Sequence, residues 1–301
     1  MNYFRTDLAC ELRDTEGGRS GIRHTEEGTR GRFRVGLTEI LSREASEATG
    51  KPEGRYVTVE LGPVGELDDG EAAEAAELLA QKLGELCDGL LGKRRGKETR
   101  VLAVGLGNAE MTADAIGPMT VSRVTVTNHL SELEPKLFES IGCCRVCAVA
   151  PGVLGETGIE SARLVRGAVD SAKPDLVIAV DALAAGSVDR LAATVQMSDT
   201  GICPGSGIGN RRNEISRATL GVPVISVGIP TVVDSSTLVY CALHRAGMPE
   251  PQGELADLLE KGRGFFVCPK DSDVINRRAA AILANAIDLT FGINRAHCEY
   301  N

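Results

Sequence analysis

The chain has 301 residues, enough to bury one sizeable core as a large α/β domain or two ordinary ones. Lysine and arginine number 33 against 42 aspartates and glutamates, a net charge of -9, and aromatics make up 3% with no tryptophan. That balance gives no general attraction for phosphate backbones or anionic membranes and no platform for stacking bases, so direct nucleic-acid binding is not expected. No run reaches 18 uncharged apolar residues, and Met1 to Glu11 lacks the basic start and apolar run of a secretory signal, so a cytoplasmic chain without membrane association is expected.

From Met1 to about Gly54 the chain is dense in charge, and Thr15 to Gly31 is broken by glycine with few apolar residues, which reads as a mobile or arm-like stretch. Arg55 to Leu61 alternates as a half-buried strand, and Glu71 to Leu91 is an Ala/Leu/Glu-rich helix. Four apolar runs follow: Val101–Leu106, Val146–Ala150, Leu176–Val180 and Val222–Val227. Separated by helical patterns such as Ile159–Ala172 and Ser235–Arg245, they predict strands of a mostly parallel, twisted sheet covered by helices on both faces. Pro249 to Pro269 reads as a Gly-rich acidic connection, and Val274 to Leu289 as a closing amphipathic helix.

In an open α/β sheet the ligand crevice lies at the carboxyl ends of the strands. Asp114, Asp181 and Asp234 each follow such a run. Asp114 alone reads as well as an ordinary helix-start charge. Asp181 ends five apolar residues, and a desolvated carboxylate needs a partner, a proton or a metal. Two aspartates on neighbouring strands facing one crevice would divide the roles of acid and base, although separation in sequence does not demonstrate proximity.

Gly105, Gly107 and Asn108 form a GxGN turn that brings backbone amides toward a ligand, but GxGxxG is incomplete and no acidic residue ends a second strand about 20 residues further on. The nine cysteines are scattered, and the single CxxC of Cys144 and Cys147 reads as small core residues rather than a zinc or redox site. The four histidines show no close metal-ligand spacing. Gly201 to Ser216 carries a Gly/Ser run before Arg211 and Arg212, which fits an oxyanion cradle or a surface loop equally.

RTDLACE at 5–11, GLGNAEMTADAIGP at 105–118, APGVLGETGIE at 150–160, VIAVDALAA at 177–185, GIGNRRNEI at 207–215 and GIPTVVD at 228–234 together resemble the spore germination protease family. The resemblance implies an endopeptidase of the spore core that degrades small acid-soluble spore proteins, made as a self-processing zymogen and assembled as a homotetramer. Its implied fold is similar to hydrogenase maturation endopeptidases. Its implied catalytic aspartates fall on Asp114 and Asp181, without a metal or other cofactor, in an atypical aspartic-type enzyme. The family's substrates are cut after an acidic residue followed by a bulky apolar residue, alanine and, two further on, an acidic one. Asp7, Leu8, Ala9 and Glu11 repeat that order, with Cys10 as a departure. Cleavage is therefore expected between Asp7 and Leu8, giving a propeptide 1–7 and a single peptidase domain 8–301, of which 8–54 is arm-like.

Gly107, Asn108, Asp234 and Arg211 are candidates for shaping the site or binding substrate. Arg145, Arg163 and Arg212 suit carboxylate recognition by residue type. A metal-dependent maturation endopeptidase using the same aspartates, and a non-catalytic scaffold, are the competing readings. A peptidyl-tRNA hydrolase, suggested by GLGN alone, is set aside because no catalytic histidine follows and the chain lacks a basic face.

Overall fold

A computed structural model describes residues 5–12, 21–204, 213–249, 251–261 and 265–293. Among the described residues nine strands form one sheet: β1 Ile22–Arg30, β2 Phe33–Ile40, β3 Gly54–Glu60, β4 Arg100–Gly105, β5 Arg145–Val149, β6 Leu176–Ala185, β7 Thr194–Ser198, β8 Val224–Asp234 and β9 Phe266–Val267. The order across the sheet is β1-β2-β3-β7-β8-β6-β4-β5, with β9 added to the end of β8. The half expected from the apolar runs, β8-β6-β4-β5, is parallel. The other half, β1-β2-β3-β7, is antiparallel and joins the first half through an antiparallel β7–β8 pairing. The protein is thus an α/β sheet that changes strand sense at β8.

Strands β4, β6 and β8 are buried on both faces because they are mostly apolar on both, whereas the edge strand β5 is only partly buried. Val101 and Ala103 of β4 belong to one core with Leu176, Ile178 and Val180 of β6. Leu102 and Val104 belong to a second core with Val177 and Ala179. Helices α2 (Asp69–Leu91), α3 (Ile116–Val121) and α7 (Ser272–Thr290) cover the first face, through residues such as Leu79, Leu83, Ile116 and Leu283. Helix α4 (Ser161–Ala172) covers part of the second through Val165 and Val169. Helix α2 starts where its sequence says it should: Asp68 accepts from the Glu71 amide, and Glu71 reaches back to the Asp68 amide.

Three segments differ from the sequence expectation. Much of the arm-like stretch is regular: β1 and β2 form a hairpin on the open edge of β3, followed by α1 (Arg43–Thr49). Its charge reflects an edge whose outer strand is mostly exposed. The Pro249–Pro269 connection contains α6 (Glu254–Lys261) and the short β9, both after α5 (Ser235–Arg245). The apolar run at 176–180 continues as β6 to Ala185, so Asp181 lies within a strand rather than after one. Cys143 and Cys144 are buried, Cys147 is half-buried on β5, and none of the three is in a disulfide. Burial pushes Cys144 up to about 11, which makes it inert as a nucleophile.

Candidate active site

Neighbouring strands end at different heights, and this opens a cleft. Strand β4 pairs with β6 only as far as Gly105 opposite Val180, whereas β6 and β8 continue together beyond that point. Asp181 is the first β6 residue past the end of β4. It is 5% exposed, and its Oδ1 accepts from the Ala182 amide at 2.9 Å. Asp114 arrives from the turn that leaves β4, and both aspartates line one cleft of about 1070 Å³.

The GLGN turn sets where Asp114 can be. Gly107 has φ +112°, and a Cβ there would fall 2.0 Å from the Asp114 carbonyl oxygen. The glycine is therefore required twice, by backbone angle and by space. The next amide, of Asn108, donates to Asp114 Oδ2 at 2.8 Å. Gly117 lets α3 close onto the strands, since a Cβ would meet the carbonyl oxygens of Leu106 at 2.2 Å and Val180 at 2.5 Å.

Two further groups hold the turn from outside. The β6–β8 register skips Thr231, between Leu183 opposite Pro230 and Ala184 opposite Val232. Proline tolerates this position because a bulge leaves a ladder bond unmade. The displaced Thr231 donates through Oγ1 to the Ala113 carbonyl at 2.6 Å, and Asn276 Nδ2 on α7 donates to the Thr112 carbonyl at 2.6 Å.

The chain's own residues Arg5 to Leu12 pack against the body, and one of them reaches this cleft. Asp7 lines it together with Asp114 and Asp181. The Asp7 amide donates to the Ala184 carbonyl at 2.8 Å, and the Ala184 amide donates to Asp7 Oδ2 at 2.9 Å. Leu8 is 0% exposed and belongs to a cluster with Leu183, Ala185 and Val233. Ala9 packs with Ile40, Ala45 and Tyr56. Glu11, 2% exposed, accepts from the Gly186 amide at 2.7 Å and from Thr6 Oγ1, and lies 3.5 Å from Arg190. Burial raises its carboxyl above the ordinary range, and the Thr6, Gly186 and Arg190 contacts pull the other way.

Lys51, half-buried in the cleft wall, donates to the Thr6 carbonyl at 3.1 Å. Desolvation pulls its ammonium below the ordinary range, opposed by the carboxylates of Asp7 and Glu11. Neither Lys51 nor Gln196, another cleft residue that holds this segment, carries a sequence signal.

The other expected residues divide. Gly107 lines the cleft, and Asn108 acts beside it through its amide. Asp234 is absent from the cleft lining and is the N-cap of α5, its Oδ1 accepting from the amides of Ser236 at 2.9 Å and Thr237 at 3.1 Å. Arg145 lies 3.2 Å from Glu98, outside the cleft. Arg211 and Arg212 fall outside the described residues. No group of three His, Cys, Asp or Glu side chains among the described residues is arranged to hold a metal, so no step is derived through one.

An α/β sheet whose cleft, beside the point where strand sense changes, is lined by Asp7, Asp114 and Asp181 has the form of an enzyme's ligand-binding cleft. Comparison with known proteins makes this specific. The germination protease family model matches residues 9–244. A germination protease of Caldanaerobacter subterraneus subsp. tengcongensis is 38% identical, over 99% of this chain and 97% of that protein. One from Clostridium perfringens is 36% identical over 98% and 97%, and the Bacillus subtilis protein is 41% identical over 78% of this chain and 64% of its own length. The chain belongs to the germination protease family, and it is a protease.

Proposed function

We propose that this protease is a self-processing endopeptidase of spore germination that acts on small acid-soluble spore proteins by an aspartic-type mechanism, with Asp114 and Asp181 as the acid–base pair. The observation that carries the reading is the chain's own Asp7, held in the cleft that both aspartates line, with Leu8 buried in the apolar cluster of Leu183. One carboxylate takes a proton from water as it attacks the carbonyl carbon. The other gives a proton to the departing amine as the C–N bond breaks. The products are a new carboxyl group at Asp7 and a new amine at Leu8. The working form in this reading is a homotetramer in the spore cytoplasm.

Intact-mass measurement of purified wild-type, Asp114→Asn and Asp181→Asn chains tests it. Loss of the fragment up to Asp7 is expected in wild type, and each substitution is expected to slow that loss by about 10²–10⁴-fold. Processing of either variant within a few-fold of wild type would remove that aspartate from the mechanism. A cut abolished by a chelator and restored by a divalent ion would favour the metal-dependent reading.

A further inference from the structure

The carboxamide of Gln196 spans the Asp7–Leu8 bond. Its Nε2 donates to the Asp7 carbonyl at 3.0 Å, and its Oε1 accepts from the Ala9 amide at 2.6 Å. The amide of Leu8, which would become the leaving amine, donates to Thr6 Oγ1 at 2.9 Å. One side chain therefore holds the carbonyl of this linkage and fixes the chain two residues further on.

The sheet explains how Gln196 reaches that place. Gln196 of β7 and Asp181 of β6 both pair with Gly228 of β8, from opposite sides. Directly paired residues share a face of a sheet, as Val180, Val227 and Met197 do in the core on the opposite face. Asp181 and Gln196 thus project from one face with a single strand between them, about 10 Å apart at the backbone from two strand spacings. Gly228 carries no side chain, and the Leu183 side chain fills the space a Cβ would take. Leu8 belongs to the same cluster as Leu183, so the residue after the linkage packs in the cluster of the side chain that covers Gly228.

We infer that Gln196 is a catalytic residue, the hydrogen-bond donor that polarises the carbonyl of the bond being cut and holds the oxygen when it becomes negative. The inference rests on the self-processing reading above. Water adds to the Asp7 carbonyl carbon, and the carbonyl π electrons move to the oxygen facing Gln196 Nε2. As that oxyanion collapses, the C–N bond breaks and its electron pair leaves with the Leu8 nitrogen, which takes the proton from the aspartate acid. Gln196 gives up no proton. Its donor is already fixed by the Ala9 contact on the other end of the same amide, which is the preorganisation that makes such donors effective. Presented to a separate polypeptide, the same carboxamide would hold the carbonyl of the residue before the cut and the amide two residues after that carbonyl.

The test uses full-length wild type, Asp181→Asn, Gln196→Met and Gln196→Glu. Methionine keeps the length of the side chain without donor or acceptor, and glutamate keeps the acceptor for Ala9 while replacing the donor. Two quantities are read: the rate of cutting at Asp7–Leu8 by intact mass, and exchange protection of the Ala184 amide, which reports that Asp7 is docked. Thermal melting identifies a variant that has lost its fold, in which case the other carries the comparison. Both Gln196 variants are expected to keep Ala184 protected and to cut roughly 10²-fold or more slowly. Cutting at the wild-type rate by a folded variant would overturn the assignment. Slow cutting together with loss of Ala184 protection would also overturn it, because Gln196 would then dock the segment only. No cut in wild type would remove both this inference and the reading beneath it. A cut that survives in Asp181→Asn but fails in docked Gln196 variants would sink the aspartate pair and leave Gln196 standing.

Discussion

At the scale of single residues, Glu11 combines burial with an anchoring role. It ties the N-terminal segment to the Gly186 amide, to Thr6 and to Arg190, yet desolvation holds its carboxyl above the usual value. A raised folded-state value means that the folded chain binds the proton more tightly than the unfolded chain. The stability this confers is fully present below the ordinary carboxyl value of 4.5 and is lost as pH rises through the raised one. Glu11→Gln removes the ionisation and keeps the size. Its melting temperature relative to wild type is expected to be higher at pH 7 than at pH 4, and a difference that runs the other way would mean that the Arg190 ion pair outweighs burial. Residues of the cleft lining were legible at this scale only where they sat in motifs: Asp114 behind a GxGN turn, Asp181 after five apolar residues. Gln196 lies in the short strand TVQMS and Lys51 in the connection between α1 and β3, and a lone amide or lysine in such places signals nothing until the sheet brings the N-terminal segment onto it.

At the scale of elements, what was legible was whatever is buried on both sides. Strands β4, β6 and β8 and helix α2 announce themselves because a run of consecutive positions, or a whole helical stripe, is apolar. The β1–β2 hairpin does not, since its outer strand faces solvent and its register shifts between Glu26 and Gly28. The extension of β6 past Val180 was hidden because AVDALAA breaks the apolar run at the aspartate. One tertiary link at this scale has a definite cost. Asp288 on α7, 0% exposed, accepts from the Thr125 amide and from Thr125 Oγ1, both at 2.9 Å, pinning the loop after α3 to the helix that backs the sheet. Asp288→Ala strands two donors in a closed space, and each unsatisfied group costs about 1–3 kcal/mol. The urea midpoint is expected to fall with an unchanged slope, while cutting at Asp7–Leu8 stays at its wild-type rate in the folded protein. An unchanged midpoint would show that water replaces the aspartate there.

At the scale of the molecule, the cleft sits where a parallel half-sheet meets an antiparallel one, and the N-terminal segment bridges the two. Residues on either side of the Asp7–Leu8 bond are held by different physics. Arg5 to Asp7 are held by polar contacts: the Arg5 amide to Thr237 Oγ1, Lys51 to the Thr6 carbonyl, and Asp7 to Ala184 and Gln196. Leu8, Ala9 and Cys10 are buried in apolar clusters of the body, and Glu11 is anchored at Gly186. Cutting the bond therefore separates a part held by exchangeable hydrogen bonds from a part held by burial, and only the second keeps its covalent tie to the domain. Hydrogen exchange on protein before and after processing reads this directly, since the two amides concerned lie two residues apart on one strand end. The Ala184 amide, bonded to Asp7, is expected to lose protection on processing. The Gly186 amide, bonded to Glu11, is expected to keep it. Processing would then clear Asp7 from the cleft, leaving Lys51, the Ala184 amide and Gln196 open to an incoming acidic residue of another polypeptide. Retention of Ala184 protection after the cut would mean instead that the released fragment stays bound as product and that access to the aspartates requires a further step.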